Sequence, residues 1–213
     1  MVDLEEFIKH VGPHVPGCPQ EIILNAIRDS CIRFCTDTWI IRETLQPFLA
    51  DSDEDTYTLT TISGDAVVGI ISFLYDEVEL AKKTEEELDI IDSGWRTADA
   101  GTPTMVTSPD DAGSVRLNRK AEVGTTSEMR VRVATKPNID DTEVQDVLLN
   151  EWFRAVKYGA LELLYEIPSK GWSDMKQSMW YGKRFNFEIQ RGKARARMGH
   201  MGKSTTAKNA AWV

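Results

Sequence analysis

The sequence predicts an α+β fold: a helical bundle from N- and C-terminal helices, with an inserted antiparallel β-sheet region and an extended C-terminal tail. Three observations carry that expectation. Apolar residues recur at helical spacing up to about residue 54 and again from about residue 137, and between 55 and 136 they alternate with period two. After about residue 196 the apolar periodicity stops. Charge divides close to the same place: residues 182–213 hold eight Lys or Arg against one acid, Glu188, whereas the other 181 residues hold 17 basic and 33 acidic side chains. A chain of net charge -9 is thus an acidic body near -16 with a basic end near +7.

The expected organisation is residues 1–54 and 137–196 as the two halves of the bundle, 55–136 as the β-rich insertion and 197–213 as a docking tail. Residues 3–10 form a short amphipathic helix stopped by Gly12-Pro13. Pro19 stands at a first helical turn, and behind it Ile23, Ile27, Ser30, Cys31 and Phe34 recur at helical spacing to about Cys35. Helical character resumes through Trp39, Ile40 and Leu45 before Pro47. Tyr57 and Leu59 alternate with threonines, Ser63-Gly64-Asp65 supplies a turn, and residues 66–74 are rich in β-branched side chains, so the two runs pair as a hairpin. Thr84 and Glu87 have capping-box spacing and open an acidic helix to about Ile91. Val115 and Leu117, then Met129, Val131 and Val133, alternate with polar or charged neighbours as antiparallel strands do.

After Lys136-Pro137 the strongest helical stripe begins: Val144, Leu148, Trp152, Val156, Gly159, Ala160, Leu163 and Leu164, ending near Ile167-Pro168. Gly159 and Ala160 mark a helix-packing point. A glycine in mid-helix costs about 1 kcal/mol relative to alanine, which is tolerated where another backbone comes close. A last helix carries Met175, Met179, Phe185 and Ile189 on its apolar side.

At 213 residues and 41% hydrophobic content the chain builds a core without disulfides or metal. It has no run of 18 apolar residues, and MVDLEEFIKH is acidic and amphipathic, so neither a secretion signal nor a membrane span is expected. Cys31 and Cys35 fit small buried hydrophobes in a reducing compartment. His10, His14 and Cys18 are evenly spaced, yet Gly12-Pro13 and Pro16 break the helix that would align them as metal ligands. Gly202-Lys203-Ser204 matches the end of a phosphate loop but lacks the first glycine and the strand before it. Acidic clusters such as Asp51, Asp53 and Asp55 fall in loops without the glycine and distal glutamate of a calcium loop. The expectation is a protein without catalysis and without a cofactor.

The basic end admits two uses. Lys and Arg bind nucleic acid without needing a fold, but residues 197–213 lack interleaved aromatics for base stacking. As a docking strap, the cations of Arg191, Lys193, Arg195, Arg197, Lys203 and Lys208 meet acidic grooves, and Trp212 with Val213 fills a pocket.

Several motifs then occur in a fixed order. Cys18-Pro19 opens a helix that continues as AIRDSCIRFCTDTW over residues 26–39; a strand pair over 57–74 leads to Val78-Glu79-Leu80. Gly94-Trp95-Arg96 precedes Gly101-Thr102-Pro103, a charged strand ends at Lys136-Pro137, and KYGALELLYEIPSKGWSDMKQSMWYGKRFNFEI spans 157–189. Over residues 18–197 this order resembles the head-to-tail adaptor (connector) proteins of tailed bacteriophages, although Asn118-Arg119-Lys120-Ala121 stands where the family usually has a proline-rich strand end. The resemblance implies a virion protein of the neck, one subunit of a homo-oligomeric ring, most often of twelve copies, assembled in the host cytoplasm. The helical part would touch neighbours and the portal protein, the β-insertion would face a tail or nozzle protein below, and the strap would reach between portal subunits. DNA would leave through the ring's channel without specific binding, and no membrane would be involved. An acidic wall suits that passage because it repels the duplex and lets it slide. Another neck, collar or tail protein, or a nucleic-acid-binding protein acting through the basic end, stands as the alternative.

Overall fold

A computed structural model describes residues 1–109, 113–122 and 127–198 of the chain. In chain order the elements are β1 (Val2–Asp3), α1 (Ile8–Val11), α2 (Gln20–Thr38), β2 (Arg42–Thr44), β3 (Phe48–Leu49), β4 (Thr56–Thr58), β5 (Ala66–Tyr75), β6 (Val78–Glu79) and β7 (Ala81–Lys82). They continue as α3 (Glu85–Ile91), β8 (Met105–Thr107), β9 (Ser114–Leu117), β10 (Glu128–Lys136), β11 (Glu143–Val144), α4 (Asp146–Asn150), α5 (Phe153–Glu166) and α6 (Met175–Met198).

The class is α+β, but the expected helical bundle with an inserted antiparallel sheet is overturned. The described strands form three sheets that are multi-stranded and central to the molecule. The five-stranded sheet runs β2-β10-β5-β6, with β3 also on β10; the four-stranded sheet runs β4-β9-β8-β7, and β1 pairs with β11. Strands β1, β2, β3 and β11 therefore lie in segments expected to be helical. Nor is pairing wholly antiparallel, since β7 runs parallel to β8.

Two local causes explain the difference. Trp39 caps α2 in a left-handed conformation (φ 55°), its N–H bonded to the Cys35 carbonyl, so the apolar run behind it cannot continue the helix. The chain leaves α2 extended and meets the free edge of β10, where Arg42 faces Ala134 and Thr44 faces Arg132. The expected hairpin of 57–74 fails for a similar reason. The Glu43 carboxylate accepts from the Ile62 amide and from Ser63 Oγ, and the Thr61 hydroxyl donates to the Asp65 carbonyl, which fixes 61–65 as a loop between sheets. Strand β4 then pairs with β9, Tyr57 opposite Val115, while β5 pairs with β10 and β6.

Two hydrophobic cores result. The sheets enclose Phe73, Leu117, Met129, Val131 and Val133, the inward residues of alternating strands. The helices enclose Phe7, Ile27, Phe34, Leu148, Leu161, Leu164 and Phe185. Each such side chain, fully buried, contributes about 1.5–3 kcal/mol. The stripe expected as one helix from Val144 to Ile167 is divided: β11 and α4 precede α5, and the chain turns at Glu151 and Trp152 between them. Trp152 is itself a core residue, packed at 5.2 Å against Phe34. Among the described residues no helix is long and apolar enough to cross a membrane.

Candidate docking surface

α6 is 24 residues long, about 36 Å at 1.5 Å per residue. Its inner face is set by Ser178, Tyr181, Gly182, Phe185, Glu188, Ile189, Gly192 and Ala196, which recur every three or four residues and are all buried. Close approach depends chiefly on Gly192, because the Glu162 tip that Gly182 meets is the movable end of a flexible side chain. A Cβ on Gly182 would stand 2.5 Å from Glu162 Oε1, and one on Gly192 would stand 2.7 Å from Thr38 Cγ2.

That phase corrects the sequence reading of this helix. Phe185 and Ile189 are buried, but Met175 and Met179 are 60% and 61% exposed. Trp180 and Phe187 join them on the outer face, at 46% and 65% exposure. Sequence inspection missed these aromatics because Met175 and Met179 set the wrong helical phase. The glycines at 182 and 192, in step with Phe185 and Ile189, were the signal for the correct one.

The outer face is also cationic. Lys176, Lys183, Arg184, Arg191 and Arg197 are exposed on α6, whose only acid, Glu188, is buried. The Arg184 guanidinium lies 5.0 Å over the Trp180 ring, and that of Arg191 lies 5.5 Å over Trp152 while pairing with Glu188 at 3.3 Å. Such cation–ring contacts are worth about 0.5–1 kcal/mol at exposed sites.

At the C-terminal end, Arg42 of β2 donates from Nη2 to the Ala196 carbonyl and from Nε to the Trp39 carbonyl, tying α6 to the end of α2. Burial, and then the charge of Arg132, hold the Arg42 guanidinium below its ordinary pKa. Asp37, Thr38, Trp39, Arg42, Lys193 and Arg197 line a shallow cavity of about 290 Å³ around this junction.

Of the docking residues expected from sequence, the structure brings four onto the last two turns of α6 and the turn before them: Arg191 and Arg197 exposed, Lys193 and Arg195 half-buried. Lys203, Lys208, Trp212 and Val213 lie outside the described residues. Gly159 and Ala160 are buried in α5. What approaches Gly159 is the Ser30 side chain and the Phe185 ring rather than a second backbone.

His10 packs on Phe153 with ring centroids 5.3 Å apart, and burial together with the Lys157 charge lowers the His14 pKa beside Tyr181. Cys31 and Cys35 are buried, and burial pushes both thiols up, away from the nucleophilic thiolate. Among the described residues no group of three or more His, Cys, Asp or Glu is placed to hold a metal ion. Comparison with models of known protein families finds no match, and comparison with curated proteins finds none either.

Proposed function

We propose that the chain is a subunit of the head-to-tail adaptor ring of a tailed bacteriophage, standing in the virion neck between portal and tail. The carrying observation is the ordered likeness of residues 18–197 to that family. Two features support it. One is the division between an acidic body and a basic end; the other is a long helix whose exposed face carries aromatic and cationic side chains ahead of residues 199–213. The role is mechanical. The body lines a channel from which DNA is repelled, and the basic end fastens the ring to the portal protein.

Electron microscopy of the chain co-expressed with its portal protein tests this. The expected result is a closed ring, of twelve copies as is usual in that family, stacked under the portal. A chain that stays monomeric and never associates with portal rings disproves the assignment.

A further inference from the structure

On the outer face of α6, Trp180, Arg184, Phe187, Arg191 and Met198 follow one another at steps of four, three, four and seven residues. That is the spacing of a helix–helix seam, with Arg191 at its edge, its guanidinium turned over Trp152 and paired with Glu188. Single exposed apolar residues require no explanation, but apolar groups aligned along an exposed helix do. The opposite face of α6 is already buried on α5 and α2, so the seam is not needed for the subunit's own core.

The charge of the seam selects its occupant. Every exposed ionisable side chain on α6 is basic, so the facing surface has to be acidic and partly apolar. The chain itself has such a surface. On α3, Ile90 and Ile91 are 84% and 55% exposed, although they share a seven-residue helix with Glu85, Glu86, Glu87 and Asp89. α3 is anchored: Leu88 is fully buried beneath it, Thr84 and Glu87 close a capping box, Asp89 accepts from Trp95 Nε1 at 2.8 Å, and Arg96 donates to both Asp89 and Glu85. The two patches match in kind, aliphatic against aromatic; Arg96 pairs with Glu85 and Asp89 and Lys83 with Glu87, so the α3 patch opposes α6 in sign through the excess of its four acids over these two bases.

We infer that the outer face of α6 in one copy receives α3 of a second copy. Because the patches are different surfaces of the same chain, the contact is head-to-tail, and repetition of it closes a ring or extends a filament. The inference rests on the ring reading above and gives that ring its subunit contact.

Cysteine cross-linking of the full chain tests it, in a Cys18→Ser background that leaves only the buried Cys31 and Cys35. Ile90→Cys and Phe187→Cys are placed singly and together, and the samples are oxidised with and without co-expressed portal protein. A ladder of covalent multimers from the double variant, with none from either single variant, is expected. No ladder from the double variant under either condition overturns the inference. Rings bound to portal without a ladder overturn this contact and leave the adaptor reading standing; a ladder without portal association upholds the contact and removes the adaptor reading. Phe187→Ala, exposed and therefore harmless to the fold by circular dichroism, is expected to weaken self-association at least tenfold by light scattering. If it instead leaves self-association unchanged and abolishes a salt-sensitive gel shift of an oligonucleotide, the face binds nucleic acid and the inference falls.

Discussion

The Ser30 side chain on α2 occupies the space that a Cβ on Gly159 of α5 would fill. Its Oγ donates 2.9 Å to the Val156 carbonyl, and the missing Cβ would collide with that oxygen while standing 3.0 Å from both Ser30 Cβ and Phe185 Cζ. Helices α2, α5 and α6 therefore meet at one atom's width. Gly159→Ala gains up to about 1 kcal/mol of helix propensity but forces this contact apart, an overpacking cost of about 1–3 kcal/mol. Net destabilisation is expected in urea titration. Ser30→Ala in the same chain is expected to recover only part of it, because Phe185 remains in place.

Arg42 joins the sheet to both helix ends, and its loss has a local signature. Arg42→Met keeps the aliphatic stem and removes the donors to the Ala196 and Trp39 carbonyls. The expected cost is about 1–3 kcal/mol for hydrogen bonds made by a charged group. Hydrogen exchange is expected to speed up in the last two turns of α6 and at the α2–β2 junction, with protection in the middle of α5 unchanged. A uniform loss of protection across α5 would show that the arginine supports the whole core instead.

How much of this was legible in the sequence depends on whether the controlling contact is local. The capping box of Thr84 and Glu87 forms as the spacing required, because both partners lie within one turn. α2 starts at Gln20, just after Pro19, and runs three residues past the expected Cys35. Strand β10 alternates Met129, Val131 and Val133 inward against exposed Arg130 and Arg132. Pairing partners were not legible. Nothing near Tyr57 states that its strand will face Val115, 58 positions further along the chain, rather than the adjacent run 66–74. The same holds for Arg42, whose strand forms only because β10 presents an edge. On α6, the apolar residues divide between two faces, and the sequence marks the inner one only through Gly182 and Gly192, which stand in step with Phe185 and Ile189.

Asp55 gives the four-stranded sheet a defined response to acid. Burial raises its pKa, but hydrogen bonds from Thr56 and Arg116 and the charges of Arg116 and Lys120 outweigh burial and leave it below the ordinary value. A carboxylate depressed in the folded state contributes stability above its unfolded value of about 3.9, and that contribution disappears as pH falls through the depressed folded value. Asp55→Asn is expected to be less stable than the parent at pH 7 and to lose less on acidification below about pH 4. Urea midpoints across the pH range, followed by tryptophan fluorescence, report it, since Arg116 also lies 4.9 Å over the Trp95 ring. Parallel pH profiles for variant and parent would show that Asp55 does not titrate differently on folding.

The basic end offers the most direct test of docking. Truncation after Met198 removes Lys203, Lys208, Trp212 and Val213 but keeps all of Met175–Met198, with Ala196 still held by Arg42. The truncated chain is expected to keep its urea midpoint and to lose association with portal rings in co-sedimentation. Charge and aromatic contributions separate by substitution. A Lys203→Gln/Lys208→Gln chain is expected to bind with a weaker dependence on salt, because exposed charge pairs are screened over about 8–10 Å at physiological ionic strength. Trp212→Ala keeps the salt dependence and is expected to lose at least tenfold in affinity, as removal of a pocket-filling aromatic at an interface does. Undiminished portal binding by the truncated chain would move the attachment onto Arg191 and Arg197 of α6 and end the strap's role.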